Sequence, residues 1–424
     1  MVKSHNYALG LTWAIILFVI PLPMIQTLAV GLPAAYADEF QAIYFGAIAY
    51  AWMLVAIYLS TRPKWLDRLI GLPNMYLIHG MMSIAAVFLA YLHQSQTESM
   101  GWIKTTGDWA YWLLLSLLGY SLIFMAGWLS SRVKIVQLVK SWLAPLFKHE
   151  VSIWIHRLNL VATVLVFIHV ILINYVVAIK PFMFWFYLYS GLTLVSYIWS
   201  KYQNWVRNSN ASLTNNVGIA DNVRELELQP SSKISALPGD YIFVSFPGLS
   251  ELHPFSLVNS PTDSSKLILA IRGDGDFTRS LDQVQPGTPA KVTGGYGRYQ
   301  PFLTEHSGYQ NMVIIAGGIG VVPLLSIIDS HPDDNIQLFY TAHRQSDLLY
   351  PEKLADWQKR PTFRLFQQVG RFQDAEVVRQ LPKDGQDNTI FLLGGPSKMT
   401  RHWRRVLLRN GASSGQIYAE EFDW

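Results

Sequence analysis

The sequence predicts a multi-domain membrane protein: a six-helix transmembrane bundle, then an antiparallel β-barrel, then an α/β domain built on a parallel sheet. Three observations predict it. Of the 424 residues 51% are hydrophobic and only 15% charged, and the apolar residues crowd into the first 200 positions. From Val217 the chain turns to short strand-like segments broken by Gly and Pro. From Met312 strands alternate with helical stretches, the pattern of an open parallel sheet. The expected division is a membrane domain over 1–200, a polar linker over 201–216, a barrel over 217–306 and the α/β domain over 307–424.

Composition narrows the chemistry. There are no cysteines, which excludes disulfides, thiolate metal ligands, iron–sulfur clusters held by Cys and covalent haem attachment. A net charge of +4 over this length gives no case for nucleic-acid binding.

Six apolar runs are long enough to span a bilayer: Ala8–Val30, Phe40–Leu59, Leu72–His93, Trp109–Leu129, Ile153–Asn174 and Phe182–Trp199. The first ends in Ala35-Tyr36-Ala37 before Asp38-Glu39, which resembles a signal-peptide cleavage site. Its apolar run is about twice the usual core of a signal peptide, so a retained helix is expected. Arg62, Lys64 and Arg68 lie between spans two and three, and Arg132, Lys134, Lys140 and Lys148 between four and five. The positive-inside rule then puts those loops, the N-terminus and everything after span six in the cytoplasm, beneath the cell (inner) membrane.

Spans three and five each carry two histidines, His79 with His93 and His156 with His169. Histidine inside an apolar run is costly and marks a site of chemistry. The pairs are fourteen and thirteen residues apart, roughly 21 and 20 Å along a helix. The topology runs both spans in one direction, so His79 levels with His156 and His93 with His169. Two facing imidazoles suit the two axial positions of a haem iron, and two levels suit two stacked haems. On an ideal helix a thirteen-residue spacing leaves two rings over about 100° apart, a mismatch the real helices must absorb.

Val223–Leu228, Tyr241–Phe246, Lys266–Ile271 and Pro289–Thr293 are the predicted barrel strands. Met312–Ala316, Ile336–Thr341, Phe363–Val369, Thr389–Leu393 and Ile417–Ala419 are the predicted parallel ones. The α/β portion opens on a strand, a glycine turn (Gly317, Gly318, Gly320) and a helix that begins near Pro323. That arrangement lets backbone N–H groups hold a pyrophosphate. A second turn, Gly394-Gly395-Pro396, follows another strand, and adjacent strand ends form a dinucleotide crevice. In the barrel, His253-Pro254-Phe255-Ser256-Leu257 sits at a strand edge, and Arg272, Gly275, Thr278 and Arg279 surround a helix start suited to phosphate. Arg344 suits a 2′-phosphate, an adenine ring or plain solvent, and Arg157 a haem propionate or the membrane boundary.

Together these pieces resemble the transmembrane NADPH oxidase and ferric reductase superfamily over nearly the whole chain. His253-Pro254-Phe255-Ser256 resembles its flavin motif, and His156-Arg157 with His169, His79 and His93 resembles its bis-haem domain. The resemblance implies two haems b between spans three and five, FAD on the barrel and NADPH or NADH on the α/β domain. It implies hydride transfer beside Ser256, Glu421 and Trp424, with the terminal indole stacked as a lid on the flavin. Gly394-Gly395-Pro396 departs from the family's usual Cys-Gly-Pro, and Thr97 and Gln41 stand where animal oxidases carry an outer His and Arg. The implied function is electron transfer from cytoplasmic NAD(P)H through FAD and two haems to oxygen, giving superoxide. Alternatives are a ferric-chelate reductase, an electron donor to a partner protein on the far side, and a transporter with a nucleotide-sensing domain.

Overall fold

A computed structural model describes residues 7–125, 135, 137–138, 142, 149–207, 209–261, 265–382 and 388–420. The basic residues Arg132, Lys134, Lys140 and Lys148 lie outside the described residues, as do Glu421 and Trp424. The chain forms two compact units. One comprises Tyr7–Leu66 and Leu72–Tyr202; the other is built from Asp67–Gly71 and from Gln203 onward.

The first unit holds six helices long and apolar enough to cross a membrane, Ala8–Gly31, Ala34–Ser60, Leu72–Ser95, Gly101–Phe124, Val151–Ile171 and Lys180–Gln203. Small residues let them approach closely: Ala86 and Ala162 are fully buried in a cluster with Ala49, Met53 and Leu114. Span one widens into a π turn over Ile15–Val19, and the Trp52 indole donates to the Ile16 carbonyl there. Span four differs from expectation. It begins at Gly101, eight residues before the predicted Trp109, because its polar first turns are satisfied within the helix. Thr105 and Thr106 hydroxyls donate to the carbonyls four residues back, and Lys104 pairs with Asp108 at 3.0 Å. The fifth span breaks at Leu158, between its two histidines: one helix covers His149–Arg157 and another Asn159–Ile171. The Asn159 amide donates to the His156 carbonyl at 2.8 Å, occupying an acceptor at the break.

In the second unit β1 (Ser209–Ala220), β2 (Val223–Pro230), β3 (Tyr241–Phe246), β4 (Leu249–Ser256), β5 (Leu267–Arg272) and β6 (Pro289–Tyr296) form a six-stranded antiparallel sheet in the order β4-β3-β6-β1-β2-β5. A single bridge, Leu257 to Leu269, links the two ends, so what the sequence leads one to expect as a barrel is among the described residues an open sheet with its edges touching once. The expected linker is not a linker. Its first part continues the Lys180–Arg207 helix, and its second is β1. β1 reads as polar because Ala211 and Leu213 are its buried apolar residues, with Ile219 and Ala220 packed half-buried near its end, while Asn216 donates to the carbonyls of Leu281 and Val284. Pro254 is tolerated because β4 is an edge strand, where a missing N–H costs little.

β7 (Asn311–Gly317), β8 (Asn335–Ala342), β9 (Phe363–Val369), β10 (Thr389–Gly394) and β11 (Ile417–Glu420) form a parallel sheet in the order β11-β10-β7-β8-β9. Both faces are covered, which explains the unbroken apolar runs. Met312, Ile314 and Ala316 enter one core and Val313 and Ile315 the other. The chain moves outward from β7 through β8 to β9, then returns to β10 on the far side of β7. The strand order therefore reverses between β7 and β10, where an open α/β sheet holds its ligand.

At that reversal the two glycine turns touch backbone to backbone. A Cβ on Gly320 would stand 2.4 Å from the Gly395 nitrogen, and one on Gly394 2.3 Å from the Gly320 oxygen. Gly320→Ala must push two main chains apart, and a cost of about 1–3 kcal/mol follows. Gly308→Ala, which meets nothing within 4 Å, is the control and should stay within about 0.5 kcal/mol. Denaturant melts of the full chain check this, and equal losses in the two variants would contradict the turn-on-turn packing.

Candidate functional site

The membrane unit brings the four histidines together in the two pairs that the sequence predicts. The ring centres of His79 and His156 are 6.0 Å apart, and those of His93 and His169 6.1 Å. The break at Leu158 lies between His156 and His169, where the spacing of an ideal helix misaligns the two rings. Every ring spends Nδ1 on a hydrogen bond. His79 donates to the Ala56 carbonyl at 2.8 Å, His93 to Ala42 at 3.0 Å and His169 to Ile103 at 2.8 Å; a carbonyl only accepts, so Nδ1 carries the proton. His156 Nδ1 meets the Ser121 hydroxyl at 2.9 Å. In His79, His93 and His169 Nε2 is thereby the nitrogen available to a metal, the arrangement usual for ligating histidines, and His156 matches it when the Ser121 hydroxyl accepts.

The spacing matches a metal between the rings. A metal–imidazole bond is about 2.0 Å and the ring centre lies about 1 Å further back, so two axial rings on one ion stand about 6 Å centre to centre. Glycines make room at the second pair. A Cβ on Gly46 would approach His93 Nδ1 to 2.9 Å, and one on Gly107 would approach the His169 ring to 3.0 Å. No group of three or more His, Asp or Glu that could hold a metal ion occurs among the described residues. Arg157 lies over the Trp154 ring at 4.5 Å.

The second unit carries a cleft of about 1740 Å³ at the sheet reversal. Its walls include Pro254, Phe255 and Ser256 of β4, Arg272 at the end of β5, the turn residues Gly317, Gly318 and Gly320 with Pro323, and Gly395 with Pro396. Gly318 has φ +55°, a conformation glycine adopts without strain. The remaining predicted residues lie elsewhere. His253 stacks on Phe277 at 4.0 Å, Leu257 is fully buried in the antiparallel sheet's core, and Gly394 packs against Gly320. The Thr278 hydroxyl accepts from the Gly275 N–H and so caps its own helix start, and with Arg279 it lines a separate small hollow. Arg344 points at Asp221, 3.9 Å away, with both side chains well exposed.

Sequence reasoning missed a basic wall. Arg371 follows β9, and Lys398, Arg401, Arg404 and Arg405 lie on the helix Ser397–Arg409; all line the cleft. Its two acids are already engaged, Asp274 with Arg272 at 2.6 Å and Asp374 with His402 at 2.7 Å. The cleft is therefore electropositive at this end and suits an anion.

A buried polar cluster was also missed. Asp240 is fully buried and receives both Arg68 terminal nitrogens at 2.6 Å, plus the Leu237 N–H. Burial raises its pKa to about 6 against the opposing pull of Arg68. Glu420, closing β11, accepts from the Arg298 N–H at 2.8 Å and the Tyr418 hydroxyl at 3.0 Å, and burial raises it to about 8. No sequence signal marks this group, since its members come from β11, the residues just before β3 and just after β6, and a short helix after span two.

The comparisons fit this geometry. The profile of an FAD-binding domain matches residues 204–315. Sulfhydrogenase 2 subunit gamma of Pyrococcus furiosus is 30% identical over 207 residues, 43% of this chain and 70% of that protein. Mouse NADPH oxidase 1 is 29% identical over 43% of this chain and 30% of its own length. Ferric reduction oxidase 8 of Arabidopsis thaliana is 27% identical over 29% and 19%. The chain thus covers less than a third of the two oxidases' lengths. Fold and comparisons define an NAD(P)H-dependent flavin oxidoreductase on a multi-pass membrane domain. The chain belongs to the NADPH oxidase and ferric reductase superfamily, in which a ferric reductase-like membrane domain is fused to a ferredoxin–NADP reductase-like dehydrogenase domain.

The raised Glu420 pKa has a measurable sign. Between the ordinary value of 4.5 and about 8 the folded chain holds a proton that the unfolded chain releases, so stability falls as pH rises through that window. Asp67, Arg68, Asp240, Arg298, Tyr299 and Tyr418 surround it and remain in both proteins. Glu420→Gln keeps the shape without the proton release. Melting temperatures compared at about pH 5.5 and about pH 8.5 should show the variant gaining on the wild type at the higher pH; parallel pH profiles would contradict the buried-carboxyl account.

Proposed function

We propose that the protein is a transmembrane NAD(P)H oxidase that passes electrons from cytoplasmic NAD(P)H through FAD and two b haems to oxygen on the far side of the membrane. When bound, FAD takes hydride as a two-electron unit and releases electrons singly to haem iron, which accepts one at a time. The overall reaction oxidises one NAD(P)H, reduces two oxygen molecules to superoxide and releases one proton. The observation that carries the reading is the pair of imidazole levels, each with ring centres about 6 Å apart and each ring held through Nδ1.

The chain's own residues perform the positioning. His79 with His156 and His93 with His169 would hold the two haems, which would supply one-electron transfer between the apolar spans. Phe255 and Ser256 offer an aromatic face and a hydroxyl at the cleft wall for the flavin. Gly317, Gly318, Gly320 and Gly395 let the dinucleotide phosphates approach backbone N–H groups closely. Arg371, with Arg401 and Arg405 beside it, takes the 2′-phosphate of NADPH, the role Arg344 fills less well from its exposed position beside Asp221. Iron docking finds little support: Asp108 is engaged by Lys104 and by the Gln94 amide at 2.8 Å, which leaves Glu98 alone near the turn before span four.

The function test is NADPH consumption in air with superoxide dismutase-sensitive cytochrome c reduction, without calcium or added iron. Turnover that begins only on adding a ferric chelate gives the activity to ferric reduction instead. His93→Leu should lose one of two haems per chain while NADPH still reduces the flavin; two retained haems would contradict the pairing. Arg371→Ala should raise KM for NADPH about tenfold, about 1.4 kcal/mol of binding, with NADH unaffected. Ferricyanide as acceptor isolates that step, and equal losses for both coenzymes would remove Arg371 from the 2′-phosphate site.

A further inference from the structure

The four candidate ligand histidines are not held alike. Three donate Nδ1–H to main-chain carbonyls: His79 to Ala56, His93 to Ala42 and His169 to Ile103. The fourth, His156, has the Ser121 hydroxyl at 2.9 Å instead. Asn159 stands beside it: its amide nitrogen is 3.5 Å from His156 Nδ1 and donates to the His156 carbonyl at 2.8 Å. These partners act differently on the ring. A peptide carbonyl fixed in a helix carries partial negative charge, draws on the Nδ1 proton and raises the electron density that Nε2 offers a metal. A hydroxyl is a weaker acceptor that also rotates, and a nearby amide N–H opposes the effect. His156 is therefore the weakest electron donor of the four. The His93–His169 pair has carbonyl support on both rings; the His79–His156 pair has it on one.

We propose that Ser121, accepting from the His156 Nδ1–H, is a positioning residue for His156, holding its ring plane and setting the His79–His156 haem at a higher midpoint potential than the His93–His169 haem. A weaker ligand set favours the ferrous state, so the two haems are unequal by construction. The haem at His93 and His169 is then the stronger reductant of the two. This inference rests on the reading that each imidazole pair holds a haem.

The experiment is an equilibrium redox titration, with low-temperature electron paramagnetic resonance, on the haem-loaded full chain in detergent. Wild type is compared with Ser121→Ala, the near-isosteric Ser121→Cys, and Ser121→Thr, which keeps a hydroxyl. Two one-electron components are expected in wild type, the higher of them being the one lost in His156→Leu. In Ser121→Ala and Ser121→Cys that component alone should become easier to reduce. Its ferric-to-ferrous ratio at fixed ambient potential should change about tenfold, about 59 mV for one electron, and its resonance should broaden. Ser121→Thr should titrate as wild type. If the Ala variant does not fold, the Cys variant decides. Components that stay put, or move together, overturn the role of Ser121. A wild-type protein without haem fails at the earlier step and overturns the reading of the site itself, so the two failures are distinguishable.

Discussion

An imidazole buried among apolar helices must spend one nitrogen on a hydrogen bond, and the membrane unit is arranged around meeting that need four times. Ala42 and Ala56 are fourteen residues apart on span two, the same separation as His79 and His93 on span three. The two antiparallel helices are therefore registered by their hydrogen bonds at both levels. Each alanine carbonyl has a second lone pair beyond its helical partner, so accepting the imidazole breaks nothing. Gly46 and Gly107 complete the fit by withholding the one carbon that would collide with a ring. With Nδ1 engaged in each ring, the pairs at 6.0 and 6.1 Å have the spacing that the proposed function uses.

The second unit meets a different constraint, the burial of a parallel sheet on both faces with a polar crevice at one end. Apolar runs on β7, β8 and β10 fill two cores, and the chain reversal between β7 and β10 leaves glycine turns in contact where any side chain would intrude. Charge then decides what the crevice accepts. Its two acids are engaged locally, Asp274 by Arg272 and Asp374 by a hydrogen bond with His402, while five lysine and arginine side chains line it. Asp240 and Glu420 show the opposite solution: carboxyls taken fully inside, one matched by Arg68 and the other kept protonated near neutrality by burial.

What was legible in the sequence is what a short window encodes. The histidine pairs, the glycine turns and the parallel strands announce themselves by residue type and period. Ser209–Ala220 was not legible, because a strand with two fully buried apolar residues and a polar first half has the composition of a linker. The start of span four was hidden by Thr105, Thr106 and Asp108, whose polarity is absorbed by their own helix. Ser121, Arg371 and Glu420 had no local mark at all. Each matters through a partner 35 or more residues away or through a cleft assembled from separate elements.

The central claim is that each imidazole pair is a bis-axial metal site. Haem content per chain, measured on purified wild-type protein together with its electron paramagnetic resonance, tests it most directly. The account predicts two haems per chain, both low-spin with bis-imidazole ligation. One haem or none, or a high-spin five-coordinate signal in the intact protein, would contradict it.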